Sequence, residues 1–172
     1  MNTIITPNSI GIIFYKLDKK DNKIKILLYD KNSILEDIGG ILIKNNEDNT
    51  AIYHLLNKTN FVIDLSLENK LNYNYFAYNK KYSHKILLIK ADDDIINLTS
   101  TDFSKYEISG LNTLIKRTIN WIDIDKFKIY FKNNLINPRI KLDYLLYIFN
   151  NISEELKNIE VMKQIKKCVF NA

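Results

Sequence analysis

Aromatic and basic side chains are concentrated in one short segment. Residues 71–85 read LNYNYFAYNKKYSHK, which contains five aromatic residues, three lysines and one histidine. Because bases stack on aromatic faces and phosphates attract lysines, this composition is typical of a surface that binds single-stranded nucleic acid or an RNA cap. The alternative is a hairpin whose tyrosines pack on a sheet with their hydroxyl groups in water. The residues predicted to bind a ligand are Tyr73, Tyr75, Tyr78, Lys80, Lys81 and Tyr82.

The charge of the chain is compatible with such a partner but does not identify it. The net charge is +5 and the isoelectric point about 9.1, yet Arg117 and Arg139 are the only arginines. Lysine, asparagine and isoleucine are encoded by A/T-rich codons, so an A/T-rich genome, for example a viral one, explains the lysines equally well. A viral origin would place the protein in the host cytoplasm.

The composition predicts one globular chain. Its 172 residues suit one domain, and 46% hydrophobic and 26% charged residues are ordinary values for a folded protein. No segment approaches the length of about 18 apolar residues that indicates a membrane span, and the N-terminus has no signal-peptide pattern. The single Cys168 excludes an intramolecular disulfide. We therefore expect a cytoplasmic protein without a membrane partner.

Hydrophobic periodicity predicts mixed strands and helices. Strands are expected at 9–17, 23–30, 41–43, 61–65, 85–91 and 117–122, and helices at 47–60, 123–132, 141–150 and 153–170. Residues 73–82 form either a strand or an aromatic loop, and 92–105 a loop. Runs that are apolar throughout, such as 10–15, are typical of a sheet covered by helices on both faces. The predicted class is α/β or α+β.

The order of elements near residue 40 resembles the Nudix family. Gly39-Gly40 is followed by a short strand, a polar loop and a helix, as in the Nudix box, and Ile119 to Phe127, with Trp121 and an acidic turn, is similar to the closing strand and helix of that family. The resemblance extends from Ser9 to about residue 131. It implies a mixed sheet between helices in a domain of residues 1–135, and a C-terminal helical extension, 136–172, packed on the domain or on a partner.

The chemistry of the Nudix box is replaced in this chain. Active members hold Mg²⁺ against a pyrophosphate with glutamates at i, i+3 and i+4 of the helix, and the matching positions here are His54, Asn57 and Lys58. An imidazole, an amide and an ammonium are poor ligands for a hard cation. The resemblance therefore implies no catalytic residues, no metal and no cofactor. Instead, His54, Asn57 and Lys58 are expected to bind an anionic ligand directly.

A different alignment would preserve an enzyme. Its metal ligands would come from Glu36 and Asp37 before the glycines, from Glu47 and Asp48 at the helix start, or from Glu107. Carboxylates in the first turn are ordinary partners of the helix dipole, which is the simpler explanation for Glu47 and Asp48. This alternative is a diverged Nudix hydrolase or mRNA-decapping-type enzyme acting on a nucleoside diphosphate-linked substrate.

The last predicted helix adds a third hypothesis. Its apolar stripe must be covered by the domain or by another chain; the stripe consists of Leu156, Ile159, Met162 and Ile165. The chain is then a structural or assembly subunit that contacts a protein partner or a second copy. Of the three hypotheses, the sequence favours a non-catalytic Nudix-like module that binds a nucleotide, RNA or a protein.

Overall fold

The computed structural model describes residues 6–43, 46–66, 70–96, 98 and 117–170, and in addition the short segments 101–102, 105–106 and 114–115. The strands are β1 (Ser9–Asp18), β2 (Lys23–Lys31), β3 (Ile34–Glu36), β4 (Ile38–Ile41), β5 (Tyr75–Asn79), β6 (His84–Lys90), β7 (Thr101–Asp102), β8 (Lys105–Tyr106), β9 (Leu114–Ile115) and β10 (Arg117–Asp123). The helices are α1 (Glu47–Lys58), α2 (Asp93–Ile96), α3 (Ile124–Lys132) and α4 (Asp143–Phe170), and a 3₁₀ turn spans Pro138–Ile140.

Strand β1 is the centre of a mixed sheet. Its first half pairs with β4 and its second half with β2, both antiparallel, while β6 runs parallel along its other edge. The strand order is β5-β6-β1-β2-β10-β7, and β3 lies beside β2. The protein is therefore an α+β protein with a mixed sheet.

Helices cover both faces of this sheet. On one face Ala51 and Leu55 of α1 pack against Ile12 of β1 and its neighbours. On the other face Phe127 of α3 and Phe149 of α4 pack against alternate residues of the same strands. These two apolar layers explain why the central runs of the two strands, 10–15 in β1 and 26–29 in β2, have no polar side chain facing either layer.

Capping residues mark the helix boundaries that the sequence predicts. The side chain of Asn46 accepts a hydrogen bond from the amide of Asn49 at the start of α1, and Asp123 accepts one from Lys126 at the start of α3. Asn60 has a φ of 51°, which confirms the left-handed stop expected after α1.

Four of the predicted elements differ from the observed ones. The segment 92–105, predicted to be a loop, contains α2, β7 and the first residue of β8. The segment 61–65 is not a strand but a turn, because Asn60 and Phe61 both have positive φ and reverse the chain after α1. The strand expected at 41–43 begins earlier and contains both glycines. The predicted break after Asn150 is wrong, since α4 is continuous and Ile152, 1% exposed, extends its buried stripe across that point.

Within the described residues, no helix is long and apolar enough to cross a membrane.

Candidate functional site

In β4, Gly40 lets α1 approach the sheet closely, and Gly39 lets the backbone of β1 do so. A Cβ atom on Gly40 would lie 2.4 Å from Cε1 of His54, and one on Gly39 would lie 2.2 Å from the carbonyl oxygen of Ile10. The imidazole of His54 occupies the space above Gly40, where its Nε2 lies 2.9 Å from the carbonyl oxygen of Ile41. The glycines therefore fix the position of the helix face that carries His54 and Lys58.

The polar groups on this helix face are bound to protein atoms. Nδ2 of Asn57 donates to the carbonyl oxygen of Tyr53, one turn earlier on the same helix, at 2.9 Å. The ammonium of Lys58 lies 3.4 Å from Oε1 of Glu36. With His54 bound to Ile41, the three residues predicted to bind an anion lie near one another along α1 but direct their polar groups to three different protein groups.

Burial controls the charge of this face. It lowers the pKa of His54, and the hydrogen bond to Ile41 opposes this only in part. His54 is therefore neutral at pH 7. Burial also lowers the pKa of Lys58, with Glu36 acting in the opposite direction.

A buried ion network lies beside this helix, and Asp37 is its centre. Oδ2 of Asp37 lies 2.7 Å from Nε2 of His84, and Oδ1 accepts a hydrogen bond from Nε of Arg139 at 2.7 Å. Burial disfavours the charge of Asp37, but Arg139 and His84 outweigh it and hold the pKa of Asp37 well below its usual range. Gly11 leaves room for the carboxylate, because a Cβ there would lie 1.7 Å from Oδ2.

Glu36 extends the network to the C-terminal part of the chain. Its Oε1 faces Lys58, while Oε2 accepts a hydrogen bond from Nδ2 of Asn137 at 3.0 Å and lies 3.7 Å from Nη2 of Arg139. Nη2 of Arg139 also donates to the backbone oxygen of Asp37 at 3.1 Å. The two carboxylates are thus neutralised by protein cations.

Ser9, His84 and Asp37 form a chain of hydrogen bonds. Oγ of Ser9 lies 2.7 Å from Nδ1 of His84, so the order matches that of a nucleophile, a base and an orienting acid. However, the negative charge of Asp37 is already paired with Arg139. The amides of Asn8 and Ser9 both donate to the carbonyl oxygen of Ser83, so they are not available to stabilise an oxyanion. We interpret this chain as a structural link between strands.

From the sequence, Glu36 and Asp37 are expected only as metal ligands, and no site role is predicted for His84 or Arg139. One signal was present: in a chain with 25 basic residues, Arg139 is one of only two arginines. A guanidinium binds two neighbouring carboxylates in a way that a lysine does not.

The alternative metal ligands lie at opposite ends of α1. Glu36 and Asp37 lie near Lys58, the last residue of the helix, whereas Glu47, the first, pairs with Lys85 at 2.5 Å. A helix of 12 residues is about 18 Å long, so the two pairs lie beside opposite ends of α1. Within the described residues, no three His, Cys, Asp or Glu side chains are grouped so that they could hold a metal ion. Glu107 lies outside the described residues.

The aromatic segment forms the β5–β6 hairpin at the edge of the sheet. Its tyrosines are divided between the two faces: Tyr75 donates a hydrogen bond to Glu155 of α4, which raises the pKa of Tyr75 to about 12, whereas Tyr73 lies on the α1 face, 5.8 Å from the ammonium of Lys85. The hydroxyl of Tyr78 lies 3.1 Å from Oγ of Ser83. The predicted residues therefore do not share one surface.

Part of the hairpin does present aromatic rings to solvent beside lysines. Phe76 is 53% exposed and lies 5.0 Å from the ammonium of Lys85, and Tyr82 is 43% exposed, 5.5 Å from that of Lys81. Lys80, in the same turn, is exposed. Phe76 was missed as a site residue, although its alternation with Tyr75 along one strand could have placed it on the opposite face.

No protein-family model matches the chain, and no curated protein matches it in sequence.

Proposed function

We propose that this chain is a non-catalytic, Nudix-like module that binds single-stranded RNA through the β5–β6 hairpin. The order of elements supports the proposal: a mixed sheet between helices, a glycine pair in β4 and a following helix, α1, that packs against Gly40. The observation that carries the proposal is the exposure of Phe76 and Tyr82 at the sheet edge, each ring within cation–π distance of a lysine.

Stacking and charge act together at such a surface. An aromatic ring contributes about 1–3 kcal/mol per stacked base, and every base has a face that can stack. Lys80, Lys81 and Lys85 attract the phosphates, although Lys85 must exchange its contact with Glu47 for the RNA. The ligand is therefore expected to be a single strand, whose bases are free to stack, with little sequence preference.

The contacts that His54 and Lys58 of α1 already make favour a binding function over hydrolysis. In the diverged-hydrolase hypothesis the helix face next to Gly40 must bind metal and pyrophosphate, but His54 and Lys58 already contact Ile41 and Glu36. Binding at the hairpin requires neither these residues nor a metal. It should therefore be insensitive to EDTA, whereas metal-dependent binding or hydrolysis would support the hydrolase.

The test is fluorescence anisotropy with a labelled oligouridine, measured with and without EDTA. Phe76→Ala and Tyr82→Ala should each weaken binding at least about fivefold, the lower limit of one lost stacking contact. Tyr144→Ala is the control, because Tyr144 is exposed on α4, outside the hairpin. Absence of binding by the parent protein, or an equal loss in Tyr144→Ala, would contradict the proposal.

A further inference from the structure

A groove of about 280 Å³ lies between α4 and the ends of β1 and β6. Its floor is aliphatic and includes Leu17, Leu156 and Ile159. Its rim is basic and includes Lys19, Lys90 and Lys163. We call this feature the α4 groove.

The apolar stripe of α4 continues past the body of the protein at this groove. Ile152 is buried and Leu156 is partly buried against the sheet, but Ile159 is 48% exposed and Met162 is 55% exposed. Two half-exposed apolar side chains one turn apart continue the aliphatic groove, and an apolar surface rimmed by polar residues is typical of a protein interaction site. Among the described side chains of the stripe, the sheet therefore covers Ile152 and Leu156 but leaves Ile159 and Met162 half-exposed, and the side chain of Ile165 lies outside the described residues.

The charged side chains around the groove are mostly basic. Lys16, Lys19, Lys90 and Lys163 line it, against Asp93 and Glu160. Lys16 is already engaged: its ammonium donates to the carbonyl oxygen of Ile96 at 2.7 Å and lies 4.2 Å from the ring centre of Trp121. Among the residues that the structure describes, Lys19, Lys90 and Lys163 have no ion pair or hydrogen bond through their ammonium groups.

We propose that the α4 groove binds an amphipathic helix of a partner protein, with apolar side chains toward Leu156 and Ile159 and acidic side chains toward the three lysines. We choose an acidic helix as the occupant because its negative charges complement the basic rim of the groove. In a symmetric contact with a second copy, the same basic rim would face itself. RNA is disfavoured because the floor is aliphatic and offers no ring on which a base could stack.

The probe is a synthetic helical peptide of about 18 residues, long enough to form a helix, with leucines at i, i+3, i+4 and i+7 and glutamates at the flanking positions. A matched peptide carries glutamine in place of each glutamate. The full chain should bind the acidic peptide at least tenfold more tightly than the glutamine peptide in anisotropy titrations at low salt, and added salt should reduce the difference.

Matched variants of the protein locate the contact. Ile159→Asp and Lys163→Glu should each weaken binding of the acidic peptide at least tenfold. Ile129→Asp and Lys132→Glu are the controls, because Ile129 and Lys132 are exposed on α3 and stand outside the groove. Since the substituted side chains are exposed, the variants should keep the circular dichroism spectrum of the parent.

Four results would overturn the proposal. The first is no binding of the acidic peptide at millimolar concentration, and the second is equal binding of the glutamine peptide. The third is a dimer of the parent, seen by light scattering, that Ile159→Asp dissociates, since the occupant would then be a second copy. The fourth is RNA binding that Lys163→Glu abolishes while peptide binding is unchanged.

Discussion

Asp37 is a carboxylate without access to water, and protein groups replace its hydration. Both of its oxygens are hydrogen-bonded, one to His84 and one to Arg139, and Gly11 provides the space that it occupies. A buried ion pair contributes little when compared with a well-packed apolar pair, but removing one partner leaves a charge that is both buried and uncompensated. The role of Asp37 is therefore best tested by neutralising it.

We expect Asp37→Asn to lower the free energy of unfolding by about 3–5 kcal/mol, the range measured when one partner of a buried ion pair is removed. Urea unfolding followed by circular dichroism provides the measurement. Asp125→Asn is the control, because the Lys23–Asp125 pair is exposed and should contribute about 1 kcal/mol or less. A loss of similar size in both variants would contradict the assignment of Asp37 as the centre of the network.

His54 should make stability dependent on pH near neutrality. Its pKa is lowered in the folded state, so below the unfolded value of about 6.5 the unfolded chain binds more protons. Stability due to His54 is thus fully present above about pH 6.5 and is lost as the pH falls through the folded pKa. We expect the urea midpoint of the parent to decrease between about pH 7 and about pH 5, and that of His54→Gln to change less. Equal slopes for the two proteins would contradict a neutral, half-buried His54.

The buried network could not be predicted because its members are distant in sequence. Asp37 and Arg139 are 102 positions apart, and His84 is 47 positions from Asp37, so no local spacing indicates that they meet. Only the tertiary fold brings the 3₁₀ turn against the β3–β4 corner, where Nδ2 of Asn79 also donates to the backbone oxygen of Arg139 at 2.9 Å.

At the scale of elements, the contact between β4 and α1 depends on the missing side chain of Gly40. Gly40→Ala would place a methyl group 2.4 Å from the His54 ring, which must then move and lose its hydrogen bond to Ile41. We expect a loss of about 1–3 kcal/mol, typical of overpacking. In a double-mutant cycle measured by urea unfolding, His54→Ala should remove most of this loss, because it removes the clash. Additive effects would show that the two residues do not limit the approach of α1.

Elements with a clear period or a capping residue could be predicted, and elements defined by backbone geometry could not. The β1–β2 hairpin, α1 and α3 follow their hydrophobic patterns, and Asp123 signals the start of α3. The pattern at 61–65 is that of a strand, but two consecutive residues with positive φ override it. In β3 and β4, Glu36 and the two glycines interrupt the run of β-branched and apolar residues that predicts a strand.

At the scale of the whole molecule, Tyr82 and the α4 groove lie at opposite ends of β6, and Phe76, which pairs with Leu87, lies on the α1 face of the sheet, opposite to α4. Tyr82 belongs to the turn before His84, the first residue of β6, whereas Lys90, its last residue, lines the α4 groove. Six residue steps along a strand correspond to about 20 Å. RNA on the hairpin and a peptide in the groove should therefore bind without direct contact, and substitutions at Tyr82 and at Lys163 should act independently.

Helix α4 links the body of the protein to the proposed docking surface, and truncation separates these two roles. A chain ending at Asn158 retains Ile152, Glu155 and Leu156, so it keeps the contacts that these residues make with the sheet and with Tyr75. We expect it to unfold cooperatively within about 1 kcal/mol of the parent, because the removed apolar side chains that the structure describes, Ile159 and Met162, are exposed, and to lose binding of the acidic peptide.

A chain ending at Asn151 also loses the buried side chain of Ile152 and the hydrogen bond between Tyr75 and Glu155. Removing a buried isoleucine alone lowers stability by about 2–5 kcal/mol, and Leu156 adds to this loss. We therefore expect the shorter chain to unfold at a much lower urea concentration. Equal stability of the two truncated chains would show that α4 beyond residue 151 is not part of the core. Binding of the acidic peptide by the chain that ends at Asn158 would place the docking surface elsewhere.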